Sequence, residues 1–316
     1  MKRLVITSGD AGTRLDRYIL KTFDKMPKSL MFKEIRKKNI KINKKRCTPD
    51  QTLNEGDILE LYLNDDVLEE KKKYFDFLKA SSDLDIIYED ENILLINKKV
   101  GVLCHPDGRD YTDNIVARVK RYLYEKGEWE PDKSSFAPCL ANRIDRNTGG
   151  IVIACKNAIS LKAVNEKIKS REIEKYYLCV ARGKMKKESE TLEAYLKKDE
   201  KNNMVAVSDK ELDGYKKIVT RYRVLDYKDG ASLLEIELLT GRTHQIRAHL
   251  AHIGHPLFGD GKYGKEQGRF RQALYSYKLK FSFEKDSPLA YLDSKVFEAK
   301  DIALLKDFKE GKYYEG

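Results

Sequence analysis

The chain has 316 residues, 41% hydrophobic and 36% charged, which fits a soluble fold of two domains or of one large domain with an appendage. Lysine and arginine outnumber aspartate and glutamate by 62 to 51, and the net charge of +11 favours polyanionic partners. No apolar run approaches a membrane span, the N-terminus lacks the apolar core of a signal peptide, and Cys47, Cys104, Cys139, Cys155 and Cys179 form no C-x-x-C pair, so a cytoplasmic protein with reduced core thiols is expected.

Residues 13–25 place Leu15, Tyr18, Ile19 and Phe23 near helical spacing and predict an amphipathic helix. Residues 29–38 predict a second helix, with Ser29 as its N-cap after Pro27. A short alternating strand follows at 39–43, and a turn feeds another strand within 53–63. Within 33–46 there are eight lysines or arginines against one glutamate, among them Lys33, Arg36, Lys37, Lys38, Lys41, Lys44 and Lys45. An isolated basic run ordinarily solvates an exposed helix face. Here the run crosses a helix, a turn and a strand, so these side chains are expected to form one patch that grips phosphates without sequence preference. The stretches RLDRYI, IKINKKR and NEGDILELYL, with the basic helix between them, resemble the S4 RNA-binding domain over about residues 14–63, although a Lys-Lys turn follows Asn43 where such domains often carry glycine. An S4-like α+β domain is therefore expected at 1–64.

Residues 65–82 are charged and weakly periodic and are expected to be a linker. Beyond it the chain becomes strand-rich. LDIIYED and NILLINKK predict successive strands, and 112–127 a helix with Ile115, Val116, Val119 and Leu123 inward. GGIVIACK reads as a buried strand, AISLKAVNEKIKS as a helix and KYYLCVA as a further strand. A long hairpin is expected to turn at Asp229-Gly230. Together these elements predict an α+β catalytic domain over 83–316, built around a mixed, largely antiparallel sheet.

Two stretches carry candidate chemistry. In ANRIDRNTGG (141–150), Asp145 lies between Arg143 and Arg146 in a Gly-rich turn before an apolar strand. This is either a solvated salt bridge in a hairpin loop or a carboxylate held for reaction. The stretch 238–264, LLTGRTHQIRAHLAHIGHPLFGDGKYG, holds four of the five histidines: His244, His249, His252 and His255. His249 and His252 are able to share a helix face, but His244 is off that face and His255 lies beyond Gly254. No cysteine or acidic cluster completes a ligand set, so no metal is expected and the histidines read mostly as hydrogen-bonding framework. The Gly-Arg-Thr turn opens a helix, and Arg242 and Arg247 are placed to engage a phosphate or a carboxylate. There is no G-x-x-x-x-G-K-[ST], no G-x-G-x-x-G after a strand, no H-E-x-x-H and no G-x-S-x-G.

NILLINKKVGVLCHPDG, NRIDRNTGGIVIACK, REIEKYYLCVARG and the 238–264 stretch together resemble the RluA-like RNA pseudouridine synthases over essentially all of 84–316. The resemblance implies isomerisation of uridine in RNA without cofactor or metal, with Asp145 as catalytic carboxylate, Tyr177 as active-site tyrosine and Arg242 as the arginine of the last motif. It departs from the usual letters at Asn142 (usually His), Ile144 (Leu), Gly149 (Ser) and Lys99 (Pro). Hydrolytic glycosidases ordinarily use two carboxylates, whereas this family manages with one, acting as nucleophile at C1′, as base at C2′ or by addition to C6 of uracil. Because an opposing arginine favours a charged carboxylate, Arg242 is expected to pair with Asp145, and Arg143 and Arg146 to hold the RNA backbone. Tyr177 is either an inward strand aromatic or a ring that stacks on a flipped uracil and assists proton transfer. Large-subunit ribosomal RNA is favoured over transfer RNA, and a monomer suffices. The alternatives are a non-catalytic RNA-binding or assembly factor, and a metal-dependent hydrolase, which the histidine spacing opposes.

Overall fold

The computed structural model describes residues 1–68, 76–107, 112–131, 133–199, 202, 204–264 and 272–313. Its N-terminal part comprises β1 (Lys2–Val5), α1 (Leu15–Thr22), α2 (Lys28–Arg36), β2 (Ile40–Ile42), β3 (Lys45–Arg46) and β4 (Ile58–Leu61). The strands form an antiparallel sheet in the order β1-β4-β2-β3. Leu15 and Ile19 of α1 and Met31 of α2 pack on Ile40, Leu59 and Leu61, so the helical and strand periodicities converge on one core. The edge strand β1 was not evident from its sequence, because it alternates between half-buried and exposed residues and is held by pairing with β4. The second helix starts one residue earlier than expected: Pro27, not Ser29, is the N-cap, and its carbonyl accepts from Met31 N at 3.0 Å. Between β2 and β3 both Asn43 (φ 51°) and Lys44 (φ 63°) are left-handed. Asn43 supports this turn by accepting from Ile58 N (2.8 Å) and donating to Asp57 (2.7 Å).

Of the expected linker, residues 69–75 lie outside the described residues. Its flanks form single 3₁₀ turns at Asp65–Leu68 and Asp76–Lys79. The second turn is not merely solvated: Phe77 lies 5.7 Å from the Tyr124 ring and 5.3 Å from that of Trp129, and Arg121 donates to Ala80 O at 2.5 Å.

The remainder comprises β5 (Ile86–Glu89), β6 (Ile93–Lys98), α3 (Ile115–Glu125), β7 (Cys139–Leu140), β8 (Gly149–Cys155), α4 (Ala158–Ser170), β9 (Ile173–Arg182), β10 (Ser189–Asp199), β11 (Met204–Ser208), β12 (Lys216–Lys228), β13 (Ala231–Leu238), α5 (Gln245–His252), β14 (Leu274–Phe281), β15 (Val296–Glu298) and α6 (Ala303–Lys309). One mixed sheet runs β11-β10-β12-β13-β9-β14-β8-β6-β5, with β15 on β14 and β7 on β8. Among the described strands only β14 and β8 pair in parallel, so the fold is α+β around a largely antiparallel sheet. Residues 93–96 of β6 and the whole of β8 are apolar because both faces of the sheet are covered there. Ile93, Leu95, Ile151 and Ile153 face the side that also buries Val164 of α4 and Phe308 of α6, while Leu94, Ile96, Val152 and Ala154 face the side with α3 and α5. Asn114 and Asn157 cap α3 and α4, accepting from Ala117 N (3.1 Å) and Ser160 N (2.8 Å). The β12–β13 hairpin turns at Asp229 (φ 51°) and Gly230 (φ 79°), as the sequence predicts. All five cysteines are free thiols. Among the described residues no helix is long and apolar enough to cross a membrane.

Among the described residues, a buried carboxylate ties the N-terminal part to the segment before β7. Asp10, 1% exposed, accepts at Oδ1 from Ser135 N, Phe136 N (3.3 Å) and Ser134 Oγ (3.3 Å), and at Oδ2 from Thr7 Oγ1 (2.9 Å).

Candidate active site

Asp145 occupies the loop that enters β8, and this loop is held at both ends. Before it, Asn142 Oδ1 accepts from Ile153 N at 2.7 Å, so asparagine at this departure from the family letters ties the loop to its own strand. After it, Thr148 N donates to Asp145 O (3.1 Å), and the buried Thr148 Oγ1 accepts from Gln272 Nε2 (2.6 Å). Gly149 is required by its neighbour, because a Cβ there would lie 2.5 Å from Cε2 of Tyr275. The tyrosine ring thus fills the space that a serine side chain would need. Lys99, the fourth departure, makes an exposed ion pair with Asp83 at 2.7 Å. Ile144 is buried and its carbonyl accepts from Cys104 Sγ at 3.4 Å.

Beneath the loop lies Lys98, which is fully buried. Its Nζ donates to Val102 O (2.8 Å), Arg146 O (3.0 Å) and Lys99 O (3.2 Å), stitching the 99–102 turn to the Asp145 loop. Burial pulls its pKa down to about 8, opposed by the nearby Cys104 and Asp145. The sequence does hold a signal for this residue: the two-residue period of β6 sends residue 98 to the same inward face as Leu94 and Ile96.

The expected pairing of Arg242 with Asp145 is not found. Arg247 is the partner: its Nη1 donates to Asp145 Oδ2 at 2.8 Å, while Nε and Nη2 grip Asp260 at 2.7 and 2.8 Å. Arg242 precedes the first turn of α5 and is exposed, with its backbone N donating to Gln245 Oε1 at 3.1 Å. The difference is one of helix phase. Residue 247 lies in the first turn of α5 on its buried side, whereas residue 242 belongs to the turn before the helix. Asp260 is fully buried and also accepts from Lys262 N (3.0 Å) and Tyr263 N (3.2 Å). Burial works against the charge of both partners, but their bidentate pairing prevails: Arg247 is held above and Asp260 below its ordinary pKa.

Gln245 keeps α5 in register by accepting from Thr240 Oγ1 (2.8 Å) and donating to Val219 O (3.1 Å) and Thr220 Oγ1 (3.0 Å). The four histidines of this stretch find separate partners. His249 bonds Thr220 (3.0 Å), His252 bonds Asp209 (2.8 Å), His255 donates to Arg182 O (2.8 Å), and His244 bonds the Tyr263 hydroxyl (2.9 Å). Among the described residues no three histidine, cysteine, aspartate or glutamate side chains gather as a metal site would require. His244, which its spacing placed apart from the others, lies nearest the carboxylate, with Nε2 3.8 Å from Asp145 Oδ1.

Tyr177 projects from β9 on the α3–α5 side of the sheet, 6% exposed and paired in register with Ser276 and Ile236. Burial pushes its phenol up to about 12; the Ser276 hydrogen bond opposes this and the Asp145 charge adds to it, so the hydroxyl is neutral at ordinary pH. Two residues earlier, burial lowers the Lys175 pKa. Arg143 and Arg146 are exposed on the Asp145 loop, and Arg146 Nε also donates to Gly101 O at 3.0 Å, which adds a structural tie to its expected role. In the N-terminal part Lys33, Arg36, Lys37, Lys38, Lys44 and Lys45 are exposed, while Lys41 is half-buried with its ammonium 5.1 Å from the Tyr62 ring. The site is thus a partly exposed carboxylate, gripped at one oxygen by a buried arginine, walled by a neutral tyrosine and rimmed by exposed arginines.

A family model described as RNA pseudouridylate synthase matches residues 92–252, which include Asp145, Tyr177, Arg242 and Arg247. A ribosomal large subunit pseudouridine synthase D of Borreliella burgdorferi is 28% identical over 315 residues, 96% of this chain and 91% of that protein. An RNA pseudouridine synthase of Mycoplasma genitalium is 32% identical over 288 residues, 88% of each chain. Human RNA pseudouridylate synthase domain containing 4 shares the fold, with a TM-score of 0.58 and 16% identity over 72% of this chain and 92% of that one.

Proposed function

Because the chain belongs to the RNA pseudouridylate synthase family, and is thereby an isomerase acting on RNA, we propose that it converts specific uridines of large-subunit ribosomal RNA to pseudouridine, with Asp145 as the essential carboxylate. The observation that carries this reading is the Arg247 grip on one oxygen of the partly exposed Asp145, which leaves Oδ1 without a close hydrogen bond while the carboxylate charge acts on the buried Tyr177 phenol. Relatives named for the large ribosomal subunit support the choice of RNA.

The reaction breaks the N1–C1′ bond, turns the uracil and joins C5 to C1′; C5 gives up a proton, N1 gains one, and no water enters. Asp145 Oδ1 is suited to attack C1′, to take the C2′ proton or to add to C6, since Arg247 fixes the other oxygen. A uridine has to leave its stack to reach this carboxylate, and Tyr177 offers the aromatic wall that a flipped base needs. Arg143, Arg146 and Arg242 at the rim, with the basic face of the S4-like N-terminal module, hold the phosphates. The test is to incubate wild type and Asp145→Asn with ribosomal and transfer RNA lacking the modification, and to map pseudouridines by carbodiimide-dependent primer-extension stops. New stops in large-subunit RNA with wild type alone are expected. Stops confined to transfer RNA would move the substrate assignment, and stops with both proteins would remove Asp145 from its role.

A further inference from the structure

His244 is placed unlike the other histidines. It is the residue before α5, in the left-handed conformation (φ 53°, ψ 16°), which for a non-glycine residue costs about 1–2 kcal/mol and is found where surroundings enforce it. Its ring is nearly closed off from solvent, with 7% of the side chain exposed. Nδ1 lies 2.9 Å from the Tyr263 hydroxyl, and that hydroxyl already accepts from Val205 N at 3.0 Å. A phenol has one proton to give. With the backbone N–H directed at its oxygen, the arrangement that satisfies all three groups sends the phenolic proton to Nδ1. The imidazole proton then resides on Nε2, the nitrogen that faces Asp145 Oδ1 across 3.8 Å.

We propose that His244 is a positioning residue for the isomerisation, locked by Tyr263 as its Nε2–H tautomer so that it donates a hydrogen bond to Asp145 Oδ1 as that oxygen releases its bond to the uridine. This rests on Asp145 being the reacting carboxylate. Arg247 holds one oxygen permanently, and His244 steadies the other only when it is charged and unbonded. The 3.8 Å gap leaves Oδ1 unencumbered beforehand, which a tight hydrogen bond to a nucleophile or base would not. No proton leaves His244. Burial pulls its pKa to about 4, aided by Arg247 and Lys262 and opposed by Asp145 and Asp260, so the ring stays neutral through the physiological range.

The lock has a readout that needs no RNA. In protein labelled with ¹⁵N-histidine, long-range ¹H–¹⁵N spectra, with the His244 signals assigned by their loss in His244→Gln, should report Nδ1 as the unprotonated nitrogen. In Tyr263→Phe the signals should move toward a mixture of tautomers. On substrate RNA, Tyr263→Phe should lower kcat about tenfold at unchanged KM, and His244→Leu about 100-fold, the scale of losing one donor aimed at a reacting oxygen. Removing the phenol frees the Nδ1 lone pair for protonation, so the acid limb of kcat should move to higher pH in Tyr263→Phe. Melting curves establish that the variants fold. An Nδ1–H tautomer in the wild-type protein would overturn the proposal, as would a folded Tyr263→Phe with wild-type kcat and acid limb. Failure of wild type to modify any RNA would instead overturn the functional reading, with the tautomer spectrum still deciding the lock by itself.

Discussion

Arg247 bridges two carboxylates that the chain separates by more than a hundred residues: it lies 2.8 Å from Asp145 and 2.7 Å from the buried Asp260. Removing it would leave Asp260 charged and unpaired in the interior, which typically costs about 3–5 kcal/mol. Arg247→Met should therefore lose both turnover and melting temperature. Arg242→Met, on the exposed turn, should weaken RNA binding and keep the melting temperature. Single-turnover kinetics and calorimetry on the pair check this, and an inactive but fully bound Arg242→Met would restore the assignment that sequence alone suggested.

Gly149 and Tyr275 should prove coupled. Gly149→Ser brings a Cβ against the Tyr275 ring at 2.5 Å and should destabilise by about 1–3 kcal/mol, the usual cost of overpacking. Tyr275→Ala should partly relieve that penalty in the double variant. A double-mutant cycle by urea denaturation measures it, and simple additivity would mean that the ring moves aside freely.

Asp10 should govern how firmly the N-terminal module is held. Its carboxylate takes the otherwise unmet N–H groups of Ser135 and Phe136, and Asp10→Ala leaves them buried without it, a loss of about 1–3 kcal/mol. Limited proteolysis should then cut the variant between the two sheets faster than wild type. Equal cutting rates would show that the module is held by other contacts.

The histidines make stability fall in acid. Burial pulls His249 to about 4, against about 6.5 for an unfolded histidine. Between those values the unfolded chain binds more protons than the folded one, so the contribution is complete above pH 6.5 and is lost as pH drops toward 4. Each pH unit across that window is worth about 1.4 kcal/mol per such histidine. His249→Gln should flatten the slope of unfolding free energy against pH between 4 and 6.5; an unchanged slope would place the acid sensitivity elsewhere.

Tyr177→Phe separates the two roles of that ring. Stacking survives the change, whereas a hydroxyl that moves the C5 proton does not. Full turnover by the variant would assign Tyr177 to stacking alone.

The features legible in the sequence are those set by local periodicity and turn chemistry. The helices α1 to α5, strands β6, β8 and β9, and the Asp229-Gly230 hairpin follow from spacing and glycine placement, and Asp145 with its flanking arginines stands out as a charged turn before a buried strand. What only the tertiary structure decided is which charges meet. Arg242 and Arg247 are five residues apart in one motif, and nothing local says which of them is buried; the phase of α5 on the sheet, fixed by Gln245 and Thr220, turns 247 inward and leaves 242 in solvent. Asp10 and the Tyr263–His244 contact are hidden for the same reason, and for Lys98 the strand period gives the inward face but not the carbonyls that its ammonium meets. Each is a polar group whose meaning depends on partners distant in sequence, and burial, which makes such pairs strong, exists only once the sheets have closed over them.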